Sequence, residues 1–348
     1  MTLFRAVGFG FLLAPLLVLP AYAQFDFGGN NVSLTISPEH PAPGSSVHIT
    51  VESTFLDLPS SDITWSVNGT KTAEGGGLTS TDVVLGALGT ATNVDVVAVG
   101  SGGQTATATA HIVPVELDLL WESNSYVPPF YRGRALPSAG TVLSLEAIPR
   151  FKKSDGSFIA PGDIVFTWHR DGLVLPSVSG RGKARIQVAA PSLFGEDVLS
   201  VDAVSTDGSF SGSASVSIPE IEPVLNLYED HPLFGVLYHR ALARQTTIPE
   251  IEMSFAAVPY FAQAGSADDA NLQYVWRVNG RGVASSPTRP SEITINAQNS
   301  TGLAFIELTL AHATNFFMSS SAAWGVSLRG GSGNEGAAAN PFKAGLPQ

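Results

Sequence analysis

Trp65-Ser66-Val67-Asn68-Gly69, Trp168-His169-Arg170-Asp171-Gly172 and Trp276-Arg277-Val278-Asn279-Gly280 share one pattern: a tryptophan, two residues, then Asn-Gly or Asp-Gly. These dipeptides favour a type I′ hairpin turn, because both residues accept the positive φ angles that the turn requires. A large apolar residue stands two positions before each tryptophan, namely Ile63, Phe166 and Tyr274. This alternation predicts a half-buried strand with the tryptophan on its inward face. The copies recur at nearly equal intervals of a little over one hundred residues. The repeat therefore predicts three copies of one β-sandwich, with Trp65, Trp168 and Trp276 in the structural core.

The composition agrees with a folded chain rich in strands and turns. Of the 348 residues, 44% are hydrophobic and 14% charged, and there are 35 glycines and 23 prolines. No long stretch has the apolar periodicity of a helix, so the predicted fold class is all-β, with three tandem Ig-like sandwiches. The net charge of −12 argues against nucleic acid or an anionic membrane as the main partner, since both require a basic face.

The first residues predict export. Arg5 precedes an apolar run from 6 to 19, and Ala21-Tyr22-Ala23 follows it, which is the pattern of a secretory signal peptide cleaved after Ala23. The run is short for a membrane span, so the mature chain is not expected to cross a membrane. The chain has no cysteine, and an exported chain of this size without disulfides indicates a bacterial source. The predicted location is the bacterial cell surface or the extracellular medium.

The remaining chain divides into segments of similar length. The prediction is a signal peptide at 1–23, Ig-like domains at 24–113, 114–219 and 220–328, and a disordered Gly-rich tail at 329–348. Short connections containing Pro114, Pro219 and Pro223 separate the domains, and proline-flanked linkers favour an extended, semi-rigid rod.

A block shared by the second and third domains is the strongest candidate for partner binding. The second domain has Trp121-Glu122, then Tyr131, then Arg134-Ala135-Leu136, and the third has Tyr228-Glu229, then Tyr238, then Arg240-Ala241-Leu242. Two interpretations stay open. Tyr126, Phe130 and Tyr131 could form an exposed surface that grips a protein or stacks on a sugar. Alternatively, the block covers one edge of each sandwich, with Glu122–Arg134 and Glu229–Arg240 as ion pairs.

Arg181, Lys183 and Arg185 form a second candidate site for partner binding. Cations at alternate positions are expected on one face of a strand, where they could meet an acidic protein surface or an anionic wall polymer. A solvated strand face is the ordinary alternative.

The sequence gives no support for catalysis. Seven histidines show no metal-ligand spacing such as H-E-x-x-H, and Gly208-Ser-Phe-Ser-Gly212 has phenylalanine where a nucleophile elbow needs serine. We therefore expect no catalytic residue, no metal site and no cofactor, and we predict that the protein is not an enzyme.

The export signal, the cysteine-free sandwiches and the repeated W-x-x-[ND]-G pattern together resemble the tandem Ig-like and PKD-like surface proteins of bacteria, some of which are similar to proteins encoded beside type IV pilus machinery. The likeness departs from PKD domains at the turn, where Asn-Gly or Asp-Gly replaces G-D-G. The resemblance implies a structural or adhesive surface protein without catalytic residues. The alternatives are an accessory component of a type IV pilus or secretion assembly, which would bind through strand addition at a sheet edge, and a glycan-binding surface protein.

Overall fold

A computed structural model describes residues 32–190, 195–248, 252–298 and 300–328. Within these ranges the chain forms 24 β-strands and two short 3-10 helices, at Leu58–Ser60 and Pro161–Asp163. The predicted signal peptide and Gly-rich tail lie outside the described residues. The chain divides into two compact units, Met1–Pro114 and Val115–Gln348.

The first unit contains one sandwich of seven antiparallel strands. A three-stranded sheet has the order β1-β2-β5, and a four-stranded sheet has the order β4-β3-β6-β7. The strands are β1 (Val32–Ser37), β2 (Ser46–Ser53), β3 (Asp62–Val67), β4 (Thr70–Gly76), β5 (Ser80–Val84), β6 (Thr92–Val99) and β7 (Thr105–Ile112). Val47, Ile49 and Val51 alternate inward along β2 and pack in one core with Trp65. Both sheets therefore use the two-residue period of a strand to fill the space between them.

The second unit begins with a sandwich of the same plan. Its sheets have the orders β13-β9-β8 and β11-β10-β14-β15, and the short β12 also pairs with β10. The strands are β8 (Glu116–Ser123), β9 (Val142–Arg150), β10 (Ile164–Arg170), β11 (Leu173–Val174), β12 (Gly180–Arg181), β13 (Arg185–Ala189), β14 (Glu196–Ser205) and β15 (Ser211–Pro219). Its core gathers around Trp168 and Phe166.

The third sandwich, also in the second unit, has nine strands in the described residues. Its sheets have the orders β17-β16-β19-β22 and β18-β24-β23-β20-β21. The strands are β16 (Val224–His231), β17 (Gly235–Ala241), β18 (Gln245–Ile248), β19 (Glu252–Tyr260), β20 (Leu272–Val278), β21 (Arg281–Val283), β22 (Glu292–Asn296), β23 (Gly302–His312) and β24 (Ser319–Leu328). The sequence did not predict β17, which folds back on β16, or β18, which pairs in parallel with β24.

The tryptophan repeat has the same geometry in all three sandwiches. The relative exposures of Trp65, Trp168 and Trp276 are 0%, 0% and 1%. Each indole N–H donates to a backbone carbonyl at 2.8–3.0 Å, and each acceptor lies two residues before β5, β13 or β22. The acceptors are Leu78, Lys183 and Pro290. Each tryptophan thus fixes the start of a strand in the opposite sheet while its ring fills the core, and its one polar group stays satisfied.

The turn that follows each tryptophan is also repeated. The φ angles at Asn-Gly or Asp-Gly are +50° and +77°, +51° and +78°, and +50° and +75°, as expected for a type I′ turn. In each copy the Asx side-chain oxygen accepts a hydrogen bond from the backbone of the neighbouring strand, at Asn93, Val198 and Phe305. The prediction of three tandem Ig-like sandwiches is confirmed.

Candidate functional site

The aromatic segment that follows β8 joins the second sandwich to the third. Tyr126 N–H donates to the carbonyl of Ala262 at 2.8 Å, and Phe261 N–H donates to the carbonyl of Tyr126 at 2.6 Å. This reciprocal pair has the form of a short strand pairing between sandwiches. We call the contact of segment 124–140 with residues 260–263 and 312–315 the seam.

Side-chain hydrogen bonds reinforce the seam. Ser138, which is fully buried, donates from Oγ to the carbonyl of Phe261 at 2.6 Å. Asn315 Nδ2 donates to the carbonyl of Ala139 and to Oε1 of Gln263, each at 2.8 Å. Because buried polar groups are costly to leave unpaired, these bonds fix the register of the two surfaces.

Gly140 allows this close approach. Its φ is +83°, and a Cβ atom placed there would lie 2.3 Å from Gln263 Oε1 and 2.4 Å from Asn315 Nδ2. Both the positive φ and the missing side chain are therefore needed at this position.

Tyrosine rings line the same region. Tyr131 packs edge-on against Tyr260, with ring centroids 5.7 Å apart, and against Phe261 at 5.9 Å. The hydroxyls of Tyr228 and Tyr260 are 2.6 Å apart, and Tyr228 also contacts the ring of Tyr238. Edge-on aromatic pairs add stability beyond the area that they bury.

Burial disfavours the ionised form of two phenols in this region, Tyr126 and Tyr260. It raises the pKa of Tyr126 to about 12, and the negative charge of Asp268 contributes to the shift. Burial is also the main cause of the raised pKa of Tyr260, and the hydrogen bond with the Tyr228 hydroxyl raises it further. The Tyr126 and Tyr260 hydroxyls are therefore neutral hydrogen-bonding groups at physiological pH.

Acidic side chains stand beside the tyrosines. Arg289 lies between Asp230, at 3.2 Å, and Glu292. Burial raises the pKa of the Glu292 carboxyl, and the nearby Asp230 and Asp268 add to this while Arg289 opposes it. The group is one guanidinium shared by two carboxylates.

The structure divides the predicted aromatic surface between two environments. Tyr126 is half-buried and Tyr131 is 37% exposed, and both lie in the seam. Phe130 is 92% exposed. The Tyr131 ring stands at 72° to Tyr260 and 74° to Phe261, so these three rings do not form one coplanar platform.

Phe130 also has an unusual backbone. Its φ is +66°, in a turn closed by a hydrogen bond from Tyr131 N–H to the carbonyl of Pro128 at 3.3 Å. A bulky residue rarely adopts this conformation, which normally selects glycine, so the turn carries local strain. Phe261, on the other side of the seam, has a φ of +64°.

The prediction that Arg181, Lys183 and Arg185 share one strand face is wrong. Arg181 lies in β12, which pairs with β10, and Arg185 lies in β13, which pairs with β9 in the opposite sheet. Gly182, with a φ of +73°, breaks the alternation between them. Arg181 pairs with Asp163 at 2.7 Å and Arg185 with Glu146 at 2.6 Å, so these two charges are already neutralised locally.

The two ion pairs expected for the repeated block are also absent from the described residues. The guanidinium of Arg134 lies 4.5 Å from the centre of the Trp121 ring, a cation–π contact. In the third sandwich Arg244, not Arg240, makes such a contact, with Trp324 at 5.2 Å. In the second sandwich the Trp121 ring therefore contacts Arg134 in place of Glu122.

An open cleft lies on the β8-β9-β13 sheet. Its volume is about 920 Å³, and Arg134, Trp121 and the half-exposed Leu120 contribute to its lining. The Arg185–Glu146 pair lies in the same cleft. Charges of both signs balance there, so the cleft does not select for an ionic ligand.

The sequence did not identify the acceptor side of the seam. Phe261, Gln263 and Asn315 belong to loops whose composition gives no sign of an interface. The one signal in the sequence was the match of Pro259-Tyr-Phe261 with Pro149-Arg-Phe151. Phe151, however, is buried in its own core, whereas Phe261 contacts the neighbouring sandwich.

The part of the chain that the structure describes lacks two further features. It contains no helix of the length and apolarity needed to span a membrane. Within the same residues, no group of three or more His, Asp or Glu side chains is arranged to hold a metal ion.

No protein-family profile matches the chain, and no curated protein matches it in sequence. Solved structures with tandem domains do match. The fibronectin(III)-like modules of Clostridium thermocellum CbhA are 18% identical, with 54% of this chain and 94% of that chain covered and a TM-score of 0.27. The central fibronectin-III array of RIM-binding protein is 12% identical, with coverages of 81% and 92% and a TM-score of 0.28.

A third match is SGBP-B of the Bacteroides ovatus mixed-linkage glucan utilization locus, solved with a mixed-linkage heptasaccharide. It is 12% identical, with coverages of 86% and 70% and a TM-score of 0.21. The assignment of the fold of this chain comes from its own strand pairing.

Proposed function

We propose that the chain is an exported bacterial protein that acts at the cell surface as a structural and adhesive array of Ig-like domains, without catalysis. The observation that carries the proposal is the seam. Residues that could have formed an exposed binding surface, Tyr126 and Tyr131, are instead used to hold two sandwiches together. A segment used in this way favours a load-bearing spacer over a mobile linker.

The export half of the proposal depends on the predicted leader at 1–23 and on the absence of cysteine. Its test is the treatment of intact cells of the source bacterium with an external protease, followed by immunoblotting of cell fractions. We expect the mature chain in the surface or medium fraction, shortened by the leader and degraded by the protease. Retention of the full-length chain in the cytoplasm would refute the proposal.

The structural half predicts that the second and third sandwiches move together. NMR relaxation of residues 115–328 should give one overall tumbling time for both sandwiches, with no fast relative motion. Independent tumbling would argue against a spacer role. The alternative role in a type IV pilus or secretion assembly predicts co-purification with those machines from the same surface fraction.

A further inference from the structure

The hairpin between β16 and β17 presents two exposed apolar side chains. Leu233 is 83% exposed and Phe234 is 76% exposed. The turn is well defined, because Phe234 N–H donates to the carbonyl of His231 at 3.2 Å and the His231 and Phe234 rings lie 4.7 Å apart. Gly235, with a φ of +68°, closes it. We call residues 231–235 the tip.

The tip corresponds in sequence to the docking segment of the second sandwich. Trp121-Glu122 and Tyr131 match Tyr228-Glu229 and Tyr238. Tyr126, which makes the reciprocal backbone pair of the seam, stands five residues after Trp121, and Leu233 stands five residues after Tyr228. In the second sandwich this sequence position docks through its backbone, whereas in the third the Leu233 N–H donates to Nδ1 of His231 within the hairpin at 3.1 Å. What the tip leaves available at this position is therefore the exposed apolar side chain.

The tip also lies at the end of its sandwich that is away from the seam. Val224 pairs with Tyr260, next to the seam, whereas His231 pairs with Gly235 at the opposite end of β16. Strand β24 runs from Ser319, which pairs with Ala311 near the seam, to Leu328 at the far end. The tip is therefore placed at the end where the chain leaves the sandwich, as the docking segment is in the second sandwich.

The first sandwich exposes an aromatic residue near the position at which the third sandwich receives the docking segment. In the third sandwich the acceptor residue Phe261 directly follows Tyr260, the partner of the first residue of β16. In the first sandwich the partner of Val32 is Ser53, and Phe55 follows in the same loop with 57% exposure. The Ser53 hydroxyl accepts hydrogen bonds from the backbone N–H of Phe55 and Leu56, which fixes this loop. Because the Phe55 N–H is used in this way, the loop offers a partner the Phe55 ring and not the backbone pair of the seam.

We propose that the tip of one molecule docks on the Phe55 loop of a second copy of the chain, which would join the copies head to tail. The contact is heterologous, since the tip and the loop are different surfaces, and it can therefore extend into an open chain of molecules. The proposal goes beyond the proposed function, because association of purified chains does not depend on where the protein is located.

The test is sedimentation velocity of residues 24–348 at increasing concentration. We expect association in the range of weak to moderate protein contacts, with a Kd of about 1 μM to 1 mM. Leu233→Ser combined with Phe234→Ser, and separately Phe55→Ser, should each lower association at least tenfold. Val84→Ser is the matched control, because Val84 is 71% exposed and pairs with Ser46, at the other end of β2 from Ser53. Circular dichroism checks that each variant is folded.

Mixing the two variants separates head-to-tail contact from symmetric contact. The Phe55→Ser chain keeps its tip and the tip variant keeps its loop, so the mixture should form dimers that grow no further. A wild-type chain that stays monomeric up to about 1 mM, the weak end of the expected range, would overturn the proposal. So would undiminished association of Phe55→Ser alone, which indicates tip-to-tip contact, or an equal loss of association in Val84→Ser.

Discussion

Substitution of Gly140 by alanine measures the strength of the seam. The added Cβ cannot coexist with Gln263 Oε1 and Asn315 Nδ2 at 2.3 and 2.4 Å, so both side chains must move. Their displacement breaks the hydrogen bonds of Asn315 to Gln263 and to Ala139. Two such bonds contribute about 1–3 kcal/mol together. Alanine at a φ of +83° costs roughly 1–2 kcal/mol more.

Substitution of Gly156 by alanine is the matched control, because it measures the loss of stability that comes from the positive φ alone. The φ of Gly156 is +87°, the residue lies in the same sandwich, and an added Cβ would meet no atom within 4 Å. Gly156→Ala should therefore lose only the roughly 1–2 kcal/mol of backbone strain.

Urea unfolding of residues 115–328 compares the two variants. We expect Gly140→Ala to be less stable than Gly156→Ala by about 1–3 kcal/mol, the share due to the seam hydrogen bonds. NMR relaxation should also show the two sandwiches moving more independently in Gly140→Ala alone. Equal losses of stability together with unchanged tumbling would refute the role of these hydrogen bonds in holding the seam.

Three other substitutions have defined outcomes. Trp168→Ala should cost about 3–5 kcal/mol, because it empties the core around an indole with 0% exposure, and chemical denaturation followed by fluorescence measures the loss. Asn279→Ala loses the hydrogen bond to Phe305 and strains a φ of +50°, at about 1–2 kcal/mol, whereas Asn279→Gly should lose less because glycine accepts that φ. Glu220 has a pKa raised by burial and by Asp197, so its charged form is disfavoured in the folded chain. Its stabilising contribution is present below the ordinary glutamate pKa, about 4.3, and is lost as the pH rises through the raised value. Glu220→Gln should therefore be more stable than wild type at neutral pH and lose this advantage near pH 4, and equal pH profiles would contradict the assignment.

The features that the sequence predicted are set by local rules. The Trp-x-x-Asx-Gly pattern combines strand alternation with a turn whose two residues accept positive φ, and both effects act within five residues. The burial of Trp65, Trp168 and Trp276 and the turn angles follow from these rules. Three copies of the pattern were therefore sufficient to predict three sandwiches.

The seam was not predictable in this way. Ser138 and Phe261 are separated by 123 residues in sequence, and no local rule brings them together. The prediction that Arg181, Lys183 and Arg185 share one strand face was wrong for a different reason. A period of two holds only while a strand continues, and Gly182 with a φ of +73° ends it between Arg181 and Arg185. The glycines at 180 and 182 were the signal in the sequence that the strand is interrupted there.

The repeated block adopts different structures in its two copies, and proline explains the difference. In the third sandwich the block folds back as β17 on β16, with Pro232 inside the turn. In the second sandwich Pro128 and Pro129 occupy the segment that would have to pair with β8. Proline has no N–H to donate to a strand ladder, so this copy cannot fold back in the same way. Its neighbours Tyr126 and Tyr131 are then free to reach the next sandwich, which is where the structure places them.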